Sequence, residues 1–250
     1  MRILVANDDG IDAPGLRLLA RAAAALSADV WIVAPERKWT AASHQLSFDR
    51  ELTLVRRAER EYACSGAPAD CVVAAMNLLF AEAPRPDLVL AGINDKRNVG
   101  EDALYSGTNA IGREASFAGV SAIALSSDAP AARRDGDLAH LQRLLRLLWD
   151  SREQWTGGGC WLGINLPARL PAPLVEARIG RDKIGSAVNV VERSGGRVRY
   201  RLRRGRPGTA SDGDENALLA AGDITVVRYR ALAQDRLPEA LLAQWCVGLA

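Results

Sequence analysis

The sequence predicts an α/β fold: a Rossmann-like three-layer sandwich on a mostly parallel sheet, followed by a C-terminal extension made of a hairpin, a late strand and a terminal helix. Three observations lead there. Short continuous apolar runs recur along the first two-thirds of the chain, each of the length of a strand buried on both faces. Segments with helical spacing of leucine and alanine alternate with them, which is the pattern of a parallel sheet covered by helices on both sides. After about residue 180 the pattern changes to alternating strand and hairpin signals.

The elements follow in order. Arg2–Ala6 (RILVA) is a buried strand, and Pro14 opens a helix through GLRLLARAAAAL. Ala28–Ala34 is a second strand, ended by Pro35, and a polar loop runs over residues 36–44. Leu46–Arg57 alternates like a strand. Pro68 opens a further helix, and Asp87–Ala91 is a strand. A loop rich in Gly, Asn and Asp spans residues 92–107, and helix follows to about Phe117. Ser121–Ser126 and Cys160–Asn165 are strands on either side of a leucine-rich helix, Asp135–Trp155. Val190–Arg204 reads as a hairpin around Ser194-Gly195-Gly196, Asp223–Tyr229 as a late strand and Leu237–Leu249 as a terminal helix. The chain reads as one domain over 1–250, with its α/β core in residues 1–180 and its extension in 181–250.

Composition sets the class. The chain has 250 residues, 48% hydrophobic and 25% charged, which suits a sizeable core that needs no disulfide or structural metal. A formal net charge of +2 gives no bulk attraction to nucleic acid polymers or a membrane surface. The basic arm RVRYRLRRGR reads as a solvated or intersubunit strand, because Val198, Tyr200 and Leu202 alternate with its arginines. The four cysteines form no CxxC pair, so they are expected as reduced thiols. No signal-peptide pattern and no apolar run near the ~20 residues of a membrane helix is present, which points to a cytoplasmic protein.

Ligands of open α/β sheets bind outside the carboxyl ends of the strands. Those ends here are rich in oxygen donors. The first gives Asn7-Asp8-Asp9-Gly10, the second leads to Thr40 and Ser43, and a later one gives Gly92-Ile93-Asn94. Adjacent carboxylates repel one another, and a hard divalent cation relieves that repulsion. The competing reading of the same acids is a local turn, with Asp9 or Asp12 capping the next helix. Ser106, Gly107 and Thr108 stand at a helix start, where hydroxyls and free backbone N–H groups suit a phosphate; the plainer reading is an N-cap.

The stretches RILVANDDG, VAPER with TAASH after it, SGAPADCV, DLVLAGIN and LYSGT, in that order, resemble the SurE family of acid phosphatases and 5′/3′-nucleotidases. The match spreads over Arg2–Ser126, with a weaker echo in GINLP. The resemblance implies hydrolysis of nucleoside monophosphates with one divalent ion, such as Mg²⁺ or Mn²⁺. It implies Asp8, Asp9, Thr40 and Asn94 as metal ligands and Asn98 and Ser106 beside the phosphate; Gly107 and Thr108 join that seat on the helix-start reading above. It also implies a homodimer or homotetramer joined through the extension. His44 is a weak candidate for the general acid, and His140 a poorer one.

The chain departs from the family pattern at several places. Thr40 stands for a serine, Ala41 for a frequent glycine and Ala91 for the serine of SGIN. Lys96 takes a glycine position between Asn94 and Asn98, which would be strained if that position had φ > 0. Arg97 follows it, so the loop carries two cations close to the expected phosphate. Asn109 and Gly112 replace small apolar residues. Thr225–Tyr229 lacks the family's Pro-Leu. A non-catalytic or altered-specificity paralogue is therefore the alternative. A response-regulator receiver fits worse, since the strand that would carry its phospho-accepting Asp ends in Gly-Ile-Asn. A dinucleotide reductase lacks its GxGxxG turn.

Overall fold

The computed structural model describes residues 1–127, 135–181, 185, 187–203, 205, 210–233 and 238–239. Its main sheet has nine strands in the order β3-β4-β2-β1-β5-β6-β7-β11-β8. These are β1 (Arg2–Ala6), β2 (Asp29–Pro35), β3 (Leu54–Ala58), β4 (Glu61–Cys64), β5 (Leu88–Asn94), β6 (Ser121–Ser127), β7 (Cys160–Leu166), β8 (Leu174–Glu176) and β11 (Ile224–Arg230). Strands β4, β2, β1, β5, β6 and β7 run parallel, whereas β3 and β11 join antiparallel. From β1 the chain first builds β2 and β4 on one side, then crosses to β5, β6 and β7 on the other. The strand order therefore reverses between β1 and β5, the place where such sheets open a crevice.

Strand β1 shows why the fold has three layers. Ile3 and Val5 point into one hydrophobic cluster, Leu4 and Ala6 into a second on the opposite face, and all four are fully buried. A side-chain period of two thus feeds two cores from one strand. Each large aliphatic side chain among them contributes about 1.5–3 kcal/mol of burial. Helix α1 (Pro14–Ala24) starts with Pro14 in its first turn and buries Leu16, Leu19, Ala22 and Ala23 in the first cluster. Helices α2 (Pro68–Ala74), also begun by a proline, and α3 (Gly107–Phe117) cover the other face. Helix α4 (Asp135–Asp150) packs beside α1, and a break at Ser151 separates it from the short α5 (Arg152–Trp155).

Two expectations change. Leu46–Arg57 is not one strand: pairing begins at Leu54, and Phe48 within the supposed strand is 85% exposed. Alternation alone supplies no partner, and here β3 is itself the sheet edge, paired only along the short strand β4. The late strand β11 returns to the main sheet between β7 and β8, so the extension is partly continuous with the core. The hairpin is as expected. β9 (Ala187–Ser194) and β10 (Arg197–Arg203) pair antiparallel across Gly195 and Gly196, both at positive φ as a tight two-residue turn requires. The expected terminal helix lies, apart from residues 238–239, outside the described residues.

The departures at Asn109 and Gly112 find a packing cause. Both lie on α3 beneath Trp161 of β7. Asn109 Oδ1 accepts the Trp161 indole N–H at 3.2 Å, and Tyr229 stacks on the ring at 5.3 Å. A Cβ on Gly112 would stand 2.7 Å from Trp161 Cδ1. Gly112→Ala is therefore expected to destabilise by about 1–3 kcal/mol of overpacking, despite the helix preference for alanine. In a Trp161→Leu background the same glycine change should cost less. A melting temperature that rises in the single mutant would show that the ring yields freely.

Candidate active site

The candidate site opens at the reversal between β1 and β5. The turn after β1 is built by Asn7, not by the acids. Asn7 Oδ1 accepts the Gly10 N–H at 3.2 Å and its amide donates to the Gly10 carbonyl at 2.9 Å. Gly10 takes φ +104, and the next helix begins at Ala13-Pro14 with no side-chain cap. The turn that an Asx motif would give to Asp8 or Asp9 is therefore made by Asn7, and neither Asp9 nor Asp12 caps the helix.

Asp8 is buried, and that burial pushes its carboxyl up to about 6, against a hydrogen bond that lowers it. The bond comes from Thr108 Oγ1, which donates to Asp8 Oδ1 at 2.7 Å. Asp9 is 8% exposed at its side chain, accepts the Asp95 backbone N–H at 3.0 Å and pairs with Lys38. The loop after β2 is drawn to the same place, because the Trp39 N–H donates to the Asp8 carbonyl at 2.7 Å. Thr40 follows directly. Ala41, where a glycine is frequent, does adopt φ +54. Asn94 ends β5, and its amide N–H donates to the Lys96 carbonyl at 2.6 Å, leaving the amide oxygen as the atom a cation would use.

The four candidate ligands thus offer two carboxylates, one amide oxygen and one hydroxyl. Among the described residues no three His, Cys, Asp or Glu side chains converge on a metal position. An ion here would be held by the two acids and neutral oxygens. That set fits a hard divalent cation and does not fit zinc.

The expected phosphate seat lies at the start of α3. Ser106 is the N-cap of α3, its hydroxyl oxygen accepting from Asn109 N at 3.1 Å while its proton stays available. The Gly107 and Thr108 N–H groups precede the first intrahelical bonds. The Thr108 hydroxyl was expected at the phosphate. It serves Asp8 instead, since its single proton is donated there. Gly107 sits against Asp8 itself, where a Cβ would lie 2.8 Å from Asp8 Cβ.

Asn98 stands on a platform that sequence reading missed. Its side-chain amide donates to Ser126 Oγ at 2.8 Å, and its backbone N–H and carbonyl are both held by Asn165, at 2.8 and 3.1 Å. Ser126 and Asn165 are register partners on β6 and β7. Two residues on, the Gly100 N–H donates at 2.7 Å to Glu215, a fully buried acid whose carboxyl is pushed up to about 7 by burial. The only sign in the sequence was polar residues ending apolar strands.

Lys96 is exposed and is not among the non-glycine residues at positive φ, so the condition under which it would be strained is not met. Arg97 reaches Asn216 at 3.3 Å. His44 is engaged by Glu114 at 2.8 Å and stacked on Phe117. Glu114 lies about 10 Å along α3 from the seat, so the structure commits His44 elsewhere. His140 is on α4.

A doubly wound α/β protein with a cluster of oxygen donors beside a helix N-terminus is the class this fold and geometry define. Similarity to known proteins makes it specific. A family model described as Survival protein SurE matches residues 3–186, and the chain belongs to that family. The 5′-nucleotidase SurE of Rhodopseudomonas palustris (strain BisB18) is 37% identical over 249 residues, spanning 92% of this chain and 93% of that protein. That of Paramagnetospirillum magneticum is 38% identical over 198 residues, spanning 75% of this chain and 73% of that protein. The crystal structure of the SurE protein from Aquifex aeolicus superimposes with a TM-score of 0.76 over 100% of this chain and 99% of that one. At 24% identity it supports the fold.

Proposed function

We propose that this protein hydrolyses nucleoside 5′-monophosphates, and their 3′ isomers as a secondary substrate, to nucleoside and phosphate with the help of one divalent ion, Mg²⁺ or Mn²⁺. The observation that carries the reading is the acid pair Asp8-Asp9, released from turn and cap duties and set against the N-terminus of α3. Relatives named 5′-nucleotidase, matching across most of the chain, support the substrate class.

Asp8, Asp9, Thr40 and Asn94 would hold the ion. When bound, it would supply Lewis acidity at a phosphoryl oxygen and an acidified water. The residues of the chain do the rest. Ser106 and the free N–H groups of Gly107 and Thr108 receive the phosphate oxygens. Asn98 keeps one amide proton for the phosphate while Ser126 takes the other. Thr108 fixes the Asp8 carboxylate, and Asn165 and Glu215 hold the loop that carries Asn94 and Asn98. Positioning and charge stabilisation then account for most of the catalysis.

Protein stripped with a chelator should release no phosphate from a nucleoside 5′-monophosphate, and added Mn²⁺ or Mg²⁺ should restore turnover. Inactivity with every divalent ion would favour the non-catalytic alternative. The same titration tests Thr40. Thr40→Ser should stay active, whereas Thr40→Val, equal in shape but lacking the oxygen, should weaken metal binding by on the order of tenfold or more. Equal affinity of the two variants would remove Thr40 from the ligand set.

The same reading includes a cytoplasmic homodimer or homotetramer, with residues 1–250 acting as one unit. The hairpin supports the assembly. Val188, Val190, Val198, Tyr200 and Leu202 are all exposed on a two-stranded sheet, which is marginal without a partner surface. Light scattering at micromolar protein should give at least twice the chain mass, and a monomer would contradict it.

A further inference from the structure

The loop after β2 brings a cation to the acid pair that the reading above does not use. Lys38 Nζ donates to Asp9 Oδ1 and, at 2.6 Å, to Asp95 Oδ2. The three groups differ in exposure. The Asp9 side chain is 8% exposed, whereas those of Lys38 and Asp95 are 44% and 47% exposed. Asp9 is also fixed through its other oxygen by the Asp95 N–H. Arg37 lies over the Trp39 ring at 4.4 Å, Arg97 reaches Asn216, and Lys96 is exposed.

We propose that Lys38 is a tethered counter-ion of Asp9 that competes with the divalent ion and so sets the metal affinity of the site. The inference rests on the metal-site reading above. In the metal-free protein the ammonium neutralises an acid that would otherwise repel Asp8. A divalent ion bound to the same carboxylate would face that ammonium across one oxygen, and like charges so close repel strongly. Lysine suits the exchange. Its charge is a compact point on a flexible stem, and it has no rigid fork to lose. Asp95 gives the displaced ammonium a second anchor at the rim. Loading therefore exchanges one cation for another, and the site fills only at a metal concentration that overcomes the lysine.

Calorimetric titration of Mn²⁺ into chelator-stripped protein tests this, with wild type, Lys38→Met and Arg37→Gln compared. Lys38→Met should lower the Mn²⁺ dissociation constant by about three- to fivefold, the upper worth of a half-exposed ion pair. Arg37→Gln removes an equal charge one residue away that does not touch Asp9, and should change it by less than about twofold. The metal-free melting temperature of Lys38→Met should fall, and its rise on adding Mn²⁺ should exceed that of wild type. Unchanged or weaker Mn²⁺ binding by Lys38→Met overturns the proposal. So does an equal gain in Arg37→Gln, which would show a general field and no competition. Binding by wild type without a gain in Lys38→Met sinks this inference alone. No binding by any of the three sinks the metal-site reading with it.

Discussion

Asparagine in place of Asp8 or Asp9 is expected to lower phosphate release by at least about 10²–10³-fold while the protein still folds cooperatively. Each change removes a charge from the acid pair without changing its shape. The Asp8 case has a second readout in the metal-free protein. Its carboxyl titrates near 3.8 in an unfolded chain and near 6 when buried in the fold. Below about pH 4 both states hold the proton and burial costs nothing. Between about 4 and 6 the unfolded chain loses its proton first, so stability falls as pH rises. Above 6 the full cost remains, roughly 3 kcal/mol for a shift of about two units. An asparagine at this position carries no such cost and can still accept the Thr108 proton. In chelator, Asp8→Asn should therefore melt above wild type at pH 8, with the gap closing towards pH 4. Near wild-type turnover of both variants in saturating metal would end the assignment of the acid pair. A melting gap independent of pH would end the account of its burial.

What the sequence made legible follows the range of the forces involved. The runs RILVA, DLVLA and SAIALS became β1, β5 and β6 within a few residues, because a strand buried on both faces is apolar throughout. Pro14 and Pro68 marked helix starts because their fixed φ and missing N–H suit that position. The acid pair was visible as local chemistry, although its release from turn duty depended on Asn7, a role seen only in the bonds. Long-range partners left no comparable signal. Asn165 and Ser126 lie 67 and 28 residues from the Asn98 they support. Glu215, written in the sequence as an ordinary helix-start acid, reaches Gly100 across 115 positions. Lys38 was hidden for a related reason. A lysine in a polar loop is usually solvated, and only the closure of Trp39 onto Asp8 turns its loop towards Asp9.

Gly107→Ala is expected to damage turnover strongly while leaving every proposed ligand in place. The new Cβ would lie 2.8 Å from Asp8 Cβ, 2.9 Å from Pro68 Cγ and 3.0 Å from Asp8 Oδ2. None of these atoms yields cheaply. Pro68 is fixed in the first turn of α2, and Asp8 is held by β1 behind it and by Thr108 at its carboxylate. Either the start of α3 moves off the acid, or the acid moves off its site. A shift of that kind, on the order of 1 Å, costs about 10²-fold in turnover when reacting groups are misplaced. The accompanying loss of stability should be about 1–3 kcal/mol, or several degrees in melting temperature for a chain of this size. Gly119→Ala separates the two effects. Gly119 has φ +75 with open space around it at the far end of the same helix, so alanine there costs backbone strain without reaching the site. It should lower the melting temperature and leave kcat/KM unchanged. If folded Gly107→Ala instead keeps kcat/KM within about twofold of wild type, then the N-terminus of α3 is not the phosphate seat, and the phosphate must be held by Asn98 and its platform alone.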